Sequence, residues 1–435
     1  MVEPLSFDKL LPILTSTFGQ LPDKRTGDNT QYTLCDAALA AFGVFFTQSP
    51  SFLAYQRDMQ RSKGRNNAKS LFGVEQIPCD QQIRNLLDPV APGHLGAPFW
   101  TILARLSADK DMDTAYSFNG SWLCSLDGTQ YFSSTTIHCP NCTVTVRSET
   151  PYYSHTVLIP ALVMPGKSEV LALEPEFIVP QDGAVKQDCE RNAAKRWVKR
   201  NAARFAGHRV TMLADDLHCN QPFCELLQDQ HLDFILTCKP DSHEALYLEV
   251  ALLTKLGAVT QFTDRRWTGQ GHEQWIYRFV NHVPMRAGGK ALYVNWCELT
   301  TVNEASGVVL YHNAFATNHN LSEHTVRSIV LAGRTRWKIE NENNNVLKNH
   351  GYHLEHNYGH GQQHLSTVLI ILALLAFLCH TMLQLCDDQY QRLRAELGAR
   401  RTFFDDIRAL TRYFYFEGWD RLLAFMIIQL ELDTG

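Results

Sequence analysis

Arg336 and Glu340 lie four residues apart and could act together on a charged substrate. That spacing places two side chains on one face of a helix, so the sequence predicts a helix that opens here and runs through to Lys348. Trp337 and Ile339 are expected to turn its other side toward a core. A carboxylate flanked by cations suits a metal site that faces a polyanion, although a solvated surface ion pair has the same spacing.

Two aspartates earlier in the chain could join Glu340 in space. Asp127 follows one apolar, strand-like run, and Asp215, with Asp216 beside it, follows another. Carboxylate oxygens at such positions can hold two Mg²⁺ ions about 3.5 to 4 Å apart, which activate an attacking hydroxyl and stabilise the leaving oxygen of a phosphodiester. A single Asp after a strand is more typical of a turn. The metal hypothesis therefore depends on the three acids together.

Alternating apolar runs and amphipathic segments in the middle of the chain predict an α/β sheet. The predicted strands are Trp122–Leu126, Thr156–Val163, Glu169–Leu173, Val210–Leu213 and Phe234–Thr237, and the predicted helices are 188–205 and 222–228. The second and third strands are expected to form a hairpin around 165–167. Such sheets place their ligand sites at the carboxyl ends of strands, where Asp127 and Asp215 are expected to lie.

Three short blocks of the sequence resemble the motifs of DDE transposases encoded by bacterial insertion sequences, in the cut-and-paste group numbered four and its relatives. The blocks are Leu126–Thr129, Leu213–Asp215 and Arg336–Glu340 with Lys348. The third family motif has a Tyr where this chain has Gly333, and its Lys follows the Glu by seven residues, whereas Lys348 follows Glu340 by eight. Glu342, six residues before Lys348, is therefore an alternative third acid.

The resemblance implies a ribonuclease-H-like catalytic domain, interrupted between the second Asp and the Glu by a β-rich insertion. The expected division is a helical, DNA-binding N-terminal region at 1–115, catalytic segments at 116–239 and 317–361, the insertion at 240–316, and a helical C-terminal region at 362–435. In that family the second acid directly follows the small residue that ends its strand. This position favours Asp215 over Asp216, because alternation along the strand sends Asp216 to the opposite face.

The implied activity is hydrolysis at the ends of a transposable element, followed by attack of the freed 3′-hydroxyl on target DNA. The resemblance makes Asp127, Asp215 and Glu340 the catalytic acids that bind Mg²⁺, with Mn²⁺ as an alternative ion, and it gives Arg336 and Lys348 contacts to phosphates. A homodimer on DNA is expected, in the bacterial cytoplasm and associated with the nucleoid. The alternatives are a ribonuclease-H-like nuclease without strand transfer and a non-catalytic DNA-binding repressor.

Further basic and aromatic residues are candidates for contacts with DNA. Arg196 and Arg200 recur at helical spacing, so they are expected to line one stripe that contacts phosphates. The polar, basic connector at 57–67 is a second candidate, with a solvated linker as the alternative. Trp275 and Trp296 are candidates for stacking on an extruded base, but a Trp on a strand is more often part of a core.

The composition is that of an ordinary soluble globular protein. The 435 residues are 45% hydrophobic and 20% charged, and the net charge of -5 neither demands nor forbids a nucleic-acid partner. The N-terminus has acidic residues where a secretory signal would be basic and then apolar. The longest apolar run, Val368–Cys379, is twelve residues long and predicts a buried helix rather than a membrane span. No membrane partner is expected.

Twelve cysteines scattered over a chain of this length predict reduced thiols in a cytoplasmic protein. Cys139 and Cys142 form one CxxC pair, and His138 and His155 are among the candidate co-ligands for a structural Zn²⁺ ion. Because the sequence has no second CxxC, reduced and partly buried thiols are favoured over zinc. Five later histidines are interrupted by glycines, which favours loop packing or phosphate contacts over a metal tract. They are His350, His353, His356, His360 and His364.

Overall fold

The computed structural model describes residues 5–26, 30–60, 66–108, 114, 116–180 and 188–432. Residues 61–65 of the basic connector, a candidate for DNA contacts, lie outside these ranges. The described chain is a mixed α/β protein with one twelve-stranded sheet and with helices toward both ends of the chain. The predicted α/β class with flanking helices is confirmed at this level.

Helices precede, separate and follow the strands. The N-terminal helices are α1 (Phe7–Phe18), α2 (Leu34–Phe46), α3 (Phe52–Gln60), α4 (Asn67–Phe72), α5 (Asp80–Leu87) and α6 (Ala97–Ala108). Those among the strands are α7 (Glu190–Asn201), α8 (Gln221–Asp229), α9 (Glu244–Lys255), α10 (Val326–Thr335) and α11 (Asn345–Asn349). The C-terminal helices are α12 (Leu365–Cys386), α13 (Asp388–Leu397), α14 (Arg400–Tyr413) and α15 (Trp419–Gln429).

The strands form one mixed sheet. They are β1 (Ser117–Phe118), β2 (Ser121–Ser134), β3 (Thr143–Arg147), β4 (Thr150–Val163), β5 (Leu171–Ala172), β6 (Glu176–Ile178), β7 (Val210–Ala214), β8 (Asp233–Thr237), β9 (Thr260–Trp267), β10 (His272–Pro284), β11 (Tyr293–Asn303) and β12 (Val309–Thr317). Their order is β3-β4-β2-β7-β8-β12-β11-β10-β9, with β1 beside β2 and with β5 and β6 beside β4. The parallel pairs are β2 with β7 and β7 with β8, and the other pairs are antiparallel.

Most of the predicted strands are confirmed. The runs at 156–163, 210–213 and 234–237 lie in β4, β7 and β8, and β4 pairs with β5 as the predicted hairpin. The expectation that Asp127 ends a strand is wrong, because β2 continues through it to Ser134. Among the described strands, β4 alone pairs with β2 beyond its ladder with β7, so the apolar pattern of β2 ends before its pairing does.

The segment predicted as a β-rich insertion extends the sheet. It begins with α9, which the sequence pattern does not predict, and continues with β9 to β12. Its last strand pairs in antiparallel with β8, where Phe315 lies opposite Thr237. The insertion is therefore continuous with the central strands through backbone hydrogen bonds.

Side chains alternate across the central strands, so each strand contributes to two cores. Cys124 and Met212 belong to a large core that also contains the N-terminal and C-terminal helices, here called the terminal-helix core. Leu123 and Leu213 belong to a second core with Ile339 and side chains of α10, here called the α10 core. The sheet therefore has a terminal-helix face and an α10 face.

Helix α12 lies in the terminal-helix core. It has 22 residues and is long and apolar enough to span a membrane, which corrects the shorter predicted run. Its most apolar window is 89% buried within the protein, and it packs against α2. Asp88 caps it, because one carboxylate oxygen accepts hydrogen bonds from the backbone N–H groups of residues 363–365. Burial on all sides is typical of the core helix of a soluble protein.

Asn67 joins the helices at the two ends of the chain. Its amide donates hydrogen bonds to the carbonyl oxygens of Thr411 and Phe414, and its side-chain oxygen accepts one from the N–H of Phe416. The side chain is fully buried. The N-terminal and C-terminal helices therefore form one layer on the terminal-helix face.

We expect Asn67→Ala to lower the free energy of unfolding by about 2 to 3 kcal/mol, because it leaves buried backbone groups without partners. Guanidinium-induced unfolding measures the change. Asn349→Ala is the control, since Asn349 is exposed and bonds only locally to Asn345. An equal loss of stability in the two variants would contradict the role of Asn67.

Candidate catalytic site

The parallel ladder between β2 and β7 brings Asp127 and Asp215 side by side. Its last register pair is Ser125 with Leu213. Asp127 lies two residues after Ser125, and Asp215 lies two residues after Leu213. Because side chains alternate between the two faces, both aspartates lie on the same side of the sheet as Leu213. The two carboxyl groups are therefore partly buried neighbours on the α10 face.

Glu340 approaches this pair from the helical side of the α10 core. After α10 ends, a π-helical turn from Ile339 to Asn344 leads into α11. Ile339 is fully buried in the α10 core, as predicted, and it holds its neighbour Glu340 at the edge of that core. The predicted helix through Lys348 is confirmed, because residues 337–349 are helical throughout, with the π segment inside them. The prediction that Trp337 turns toward a core is wrong, because its side chain is 45% exposed.

The structure shows a local constraint at each of the two positions where the sequence departs from the motif that it resembles. A π-helical turn contains one more residue than an α-helical turn. The eight residues from Glu340 to Lys348 therefore turn about as far around the helix axis as seven residues of an α-helix. Gly333 packs on Phe315, and a Cβ at this glycine would lie 2.7 Å from the ring, which leaves no room for a Tyr. Lys348 itself pairs with Glu355 at 2.8 Å, so its contact with phosphate stays a prediction.

Arg336 lies between two of the acids. Its Nη2 is 2.5 Å from Oε1 of Glu340, and its Nη1 is 3.9 Å from Oδ1 of Asp127. Asn344, at the end of the π turn, donates a hydrogen bond from Nδ2 to Oδ2 of Asp127 at 2.6 Å. The helical segment thus supplies one carboxylate, one guanidinium group and one amide to the same place.

The pKa of Asp127 is raised from 3.8 to about 7, mainly because its carboxyl group is buried and secondly because the carboxylate of Glu340 is near. Arg336 lowers this pKa, and Glu190 and Asp215 raise it further. Negative charge at the site therefore exceeds what one guanidinium group balances. Such a surplus favours a bound cation.

Glu190 was not predicted, and it raises the pKa of Asp127 from the opposite face of β2, to which a Cβ at Gly128 would point. It is the first residue of α7, and its carboxylate lies so close to Gly128 that a Cβ there would collide with it. Its Oε1 is 3.1 Å from Nε2 of His218, a buried residue three positions after Asp215. A glycine directly after Asp127 is the sequence signal, since glycine within a strand often marks the close approach of another group.

The two alternative acids face elsewhere. Asp216 accepts hydrogen bonds from the N–H of Lys239 and the hydroxyl of Ser242, so it fixes the loop after β8. Glu342 lines a separate cavity with side chains of α12 and α14. The geometry therefore favours Asp215 and Glu340 as the acids that accompany Asp127.

Arg196 and Arg200, predicted to contact DNA, are engaged in ion pairs within the protein. Arg196 lies 2.9 Å from Glu176 and 2.7 Å from Asp188, and Arg200 lies 2.8 Å from Glu176. The pKa of Arg196 is raised, first by its hydrogen bond to Asp188. These ion pairs hold α7 against β6, and contact of the two arginines with DNA stays a prediction.

A cavity of about 550 Å³ lies beside Asp216, the neighbour of Asp215, and is lined by three cations and by the carboxylates of Asp216 and Glu225. The three cations are Arg191, Arg286 and Lys290. Arg191 follows Glu190 at the start of α7, and the other two lie in the exposed connection between β10 and β11. Basic side chains that the sequence did not predict therefore line a cavity next to Asp216.

The two tryptophans proposed for base stacking have different surroundings. Trp296 is fully buried, as a core residue would be. Trp275 is partly exposed on β10 and has the guanidinium group of Arg266 3.8 Å from its ring centre. Trp275 is therefore the better placed of the two for a contact with a partner.

The donor set suits a hard divalent cation. Asp127, Asp215 and Glu340 provide carboxylate oxygens, which Mg²⁺ and Mn²⁺ prefer. Within the described part of the chain, these oxygens do not all lie within 4.8 Å of one another. One Mg²⁺ ion with ligands at about 2.1 Å therefore cannot contact all three carboxylates in this arrangement.

No known family model matches the chain, and no curated protein is significantly similar to it. The functional assignment therefore depends on the residues of the site and their geometry.

We expect Asp127→Asn to stabilise the protein in EDTA, and more at pH 8 than at pH 5. Because the pKa of Asp127 is raised on folding, the folded state binds this proton more tightly than the unfolded state. Asp127 therefore lowers stability progressively from about pH 4 to pH 7, by an upper bound of roughly 4 kcal/mol that is reached above pH 7. Thermal unfolding of wild type and variant at the two pH values measures the difference.

Asp229→Asn, at an exposed position at the end of α8, is the matched control. Its effect is expected to be small and equal at the two pH values. Destabilisation by Asp127→Asn at pH 8 would contradict the crowding of negative charge at the site.

Proposed function

We propose that the chain is a DDE transposase that cleaves DNA at the ends of an insertion sequence and joins the freed ends to target DNA. The supporting observation is the adjacent placement of Asp127 and Asp215 on the α10 face, with Glu340 next to Asp127. Acids from two neighbouring strands and from a helical segment late in the chain are what the sequence resemblance implies.

The strand order supports a ribonuclease-H-like fold for the centre of the sheet. β6, β4 and β2 are antiparallel neighbours, and β2, β7 and β8 follow as parallel neighbours. The first acid lies on the central strand, and α7 connects the antiparallel strands to the parallel ones. In this proposal, 116–239 and 317–361 form the catalytic domain, and β9 to β12 belong to its insertion.

Asp127, Asp215 and Glu340 would hold Mg²⁺, or Mn²⁺ in its place. Ions bound there would make the attacking hydroxyl more nucleophilic and stabilise charge on the leaving oxygen. Asn344 fixes the orientation of the Asp127 carboxylate through its hydrogen bond. Because the pKa of Asp127 is raised, its proton must leave before the carboxylate can act as a ligand.

Arg336 is the residue best placed to contact the phosphate that is cut. Its guanidinium group lies between Asp127 and Glu340, where it reduces their mutual repulsion. A guanidinium group donates paired hydrogen bonds to carboxylate and phosphate alike. Arg336 would therefore exchange a carboxylate partner for a phosphate oxygen as DNA binds.

The cations of the neighbouring cavity would guide the DNA backbone to the acids. Arg191 lies on α7 and Arg286 and Lys290 lie between β10 and β11, and all three line the cavity that also holds Asp216, the neighbour of Asp215. Contacts between basic side chains and phosphates supply most of the affinity of proteins for DNA of any sequence. The protein would act as a homodimer on DNA, in the bacterial cytoplasm at the nucleoid.

Cleavage of labelled DNA that carries the ends of the element encoding the chain tests the proposal. Wild type is expected to cut at the element boundary in Mg²⁺ and not in EDTA. Asp127→Ala and Glu340→Gln should each slow cleavage by about 100-fold or more. Glu342→Gln is the matched control, because it makes the same chemical change at a carboxylate in a different cavity, and it should cleave at nearly the wild-type rate.

Three outcomes would contradict parts of the proposal. End-specific binding without any metal-dependent product, unchanged by Asp127→Ala, would favour a DNA-binding repressor. Cleavage without joined products in the presence of target DNA would leave a nuclease that lacks strand transfer. Full activity of Glu340→Gln with loss in Glu342→Gln would move the third acid to Glu342.

We expect Lys290→Ala to weaken binding to DNA of every sequence and to reduce the salt dependence of binding by about one phosphate contact. Arg200→Ala also removes one positive charge, but from an arginine already paired with Glu176, so it should leave the salt dependence unchanged. Fluorescence anisotropy at several salt concentrations measures both effects. Equal salt dependence in wild type and Lys290→Ala would show that Lys290 does not contact phosphate.

A further inference from the structure

Two cysteines and two histidines from three parts of the fold converge on one point. Cys139 and Cys142 lie in the connection between β2 and β3, His155 lies on β4, and His360 lies in the segment that leads into α12. All four side chains are buried, with exposed fractions between 1 and 8%. Their ligand atoms all lie within 4.8 Å of one another.

The separations of these atoms match a tetrahedral zinc site. Zinc binds Cys sulfur at about 2.3 Å and His nitrogen at about 2.0 to 2.1 Å, so tetrahedral geometry places two sulfurs about 3.8 Å apart and sulfur and nitrogen about 3.6 Å apart. The Sγ atoms of Cys139 and Cys142 are 4.0 Å apart. Nε2 of His155 lies 3.5 and 3.4 Å from them, and Nε2 of His360 lies 3.6 Å from Sγ of Cys142.

The arrangement is more specific than the packing of reduced thiols requires. Thiols are weak hydrogen-bond partners, so burying two imidazole rings against them gives little compensation for the water that the rings lose. Both rings nevertheless direct Nε2 at the sulfurs. A metal ion would satisfy the four donors at once, because each offers one lone pair toward the same centre.

We propose that these four residues bind one Zn²⁺ ion as a structural site. Four protein ligands complete the tetrahedral shell and leave no position for a substrate. The sequence alone favours reduced thiols, since it shows one CxxC and gives no sign that His360, more than two hundred positions later, lies beside it. The fold brings this missing ligand to the pair.

The ion would fasten the sheet to the terminal helices. β2, which carries Asp127, leads directly to the connection that holds the two cysteines, and α12 begins five residues after His360. Asn141, between the cysteines, also donates a hydrogen bond to the carbonyl oxygen of Gln363 in that segment. The zinc site would therefore hold this junction whether or not the protein cuts DNA.

A second group of buried ligands provides an internal comparison. Cys219, Cys238 and His243 also have ligand atoms within 4.8 Å of one another. This group has three members instead of four, and Nε2 of His243 already lies 3.3 Å from a carboxylate oxygen of Asp216. A cysteine in this group is therefore a matched control for one in the proposed zinc site.

Elemental analysis by mass spectrometry tests the proposal on the full-length protein, purified under reducing conditions without chelators. Wild type should contain about one zinc per chain, as expected for one closed structural site. Cys142→Ser should lose it, and Cys219→Ser should keep it. Exchange of zinc for Co²⁺ should produce the visible absorption of tetrahedral, thiolate-bound cobalt in wild type and in Cys219→Ser but not in Cys142→Ser.

If Cys142→Ser does not fold, wild type alone decides the question. A strong chelator should remove the ion and lower the midpoint of thermal unfolding, and added Zn²⁺ should restore both. Reduced wild type that contains no zinc and takes up no Co²⁺ would overturn the proposal. Zinc that is kept by Cys142→Ser and lost by Cys219→Ser would also overturn it, because the metal would then belong to the other group.

Discussion

The parallel pairing of β2 with β7 is the constraint on which the site depends. Its register puts Asp127 and Asp215 next to each other on the α10 face, where burial and mutual repulsion raise the free energy of the ionised carboxylates. Arg336 and Asn344 reach Asp127 from the helical segment opposite and reduce this repulsion. That segment is anchored by Ile339, which is fully buried in the α10 core. The free energy of packing in the hydrophobic cores on both faces of the sheet thus offsets the repulsion within the cluster of carboxylates.

Local sequence patterns predict the buried strands but not the contacts between distant segments. β4, β7 and β8 stand out as apolar runs, because both of their faces pack against side chains. The continuation of β2 past Asp127 depends on pairing with β4, where Ile159 lies opposite Asp127, and no local pattern reports that partner. The joining of the insertion to β8 is a contact of the same kind. The sequence does not predict helix α9. Only Leu246 and Val250 are buried in it, so its apolar residues do not form one clear stripe at helical spacing.

At the candidate site, too, the sequence indicates some residues, whereas others are recognised only from tertiary contacts. Residue types and the resemblance single out the three acids, whereas Glu190 and Asn344 could not be predicted, since separate elements bring them near Asp127. The basic stripe through Arg196 shows the same limit, although its contact with DNA stays a prediction. Helical spacing reveals the arginines but not the carboxylates, such as Glu176, that neutralise them. His360 joins the CxxC pair through a contact that spans half the chain.

Anomalous diffraction from crystals soaked in Mn²⁺ would test most directly whether Asp127, Asp215 and Glu340 form one cation site. We expect manganese peaks at roughly 2.2 Å from carboxylate oxygens of Asp127 and of at least one of the other two acids, and no such peaks in Asp127→Ala. Manganese held by Asp216 and His243 instead, with none in contact with Asp127, would contradict the assignment of the catalytic site.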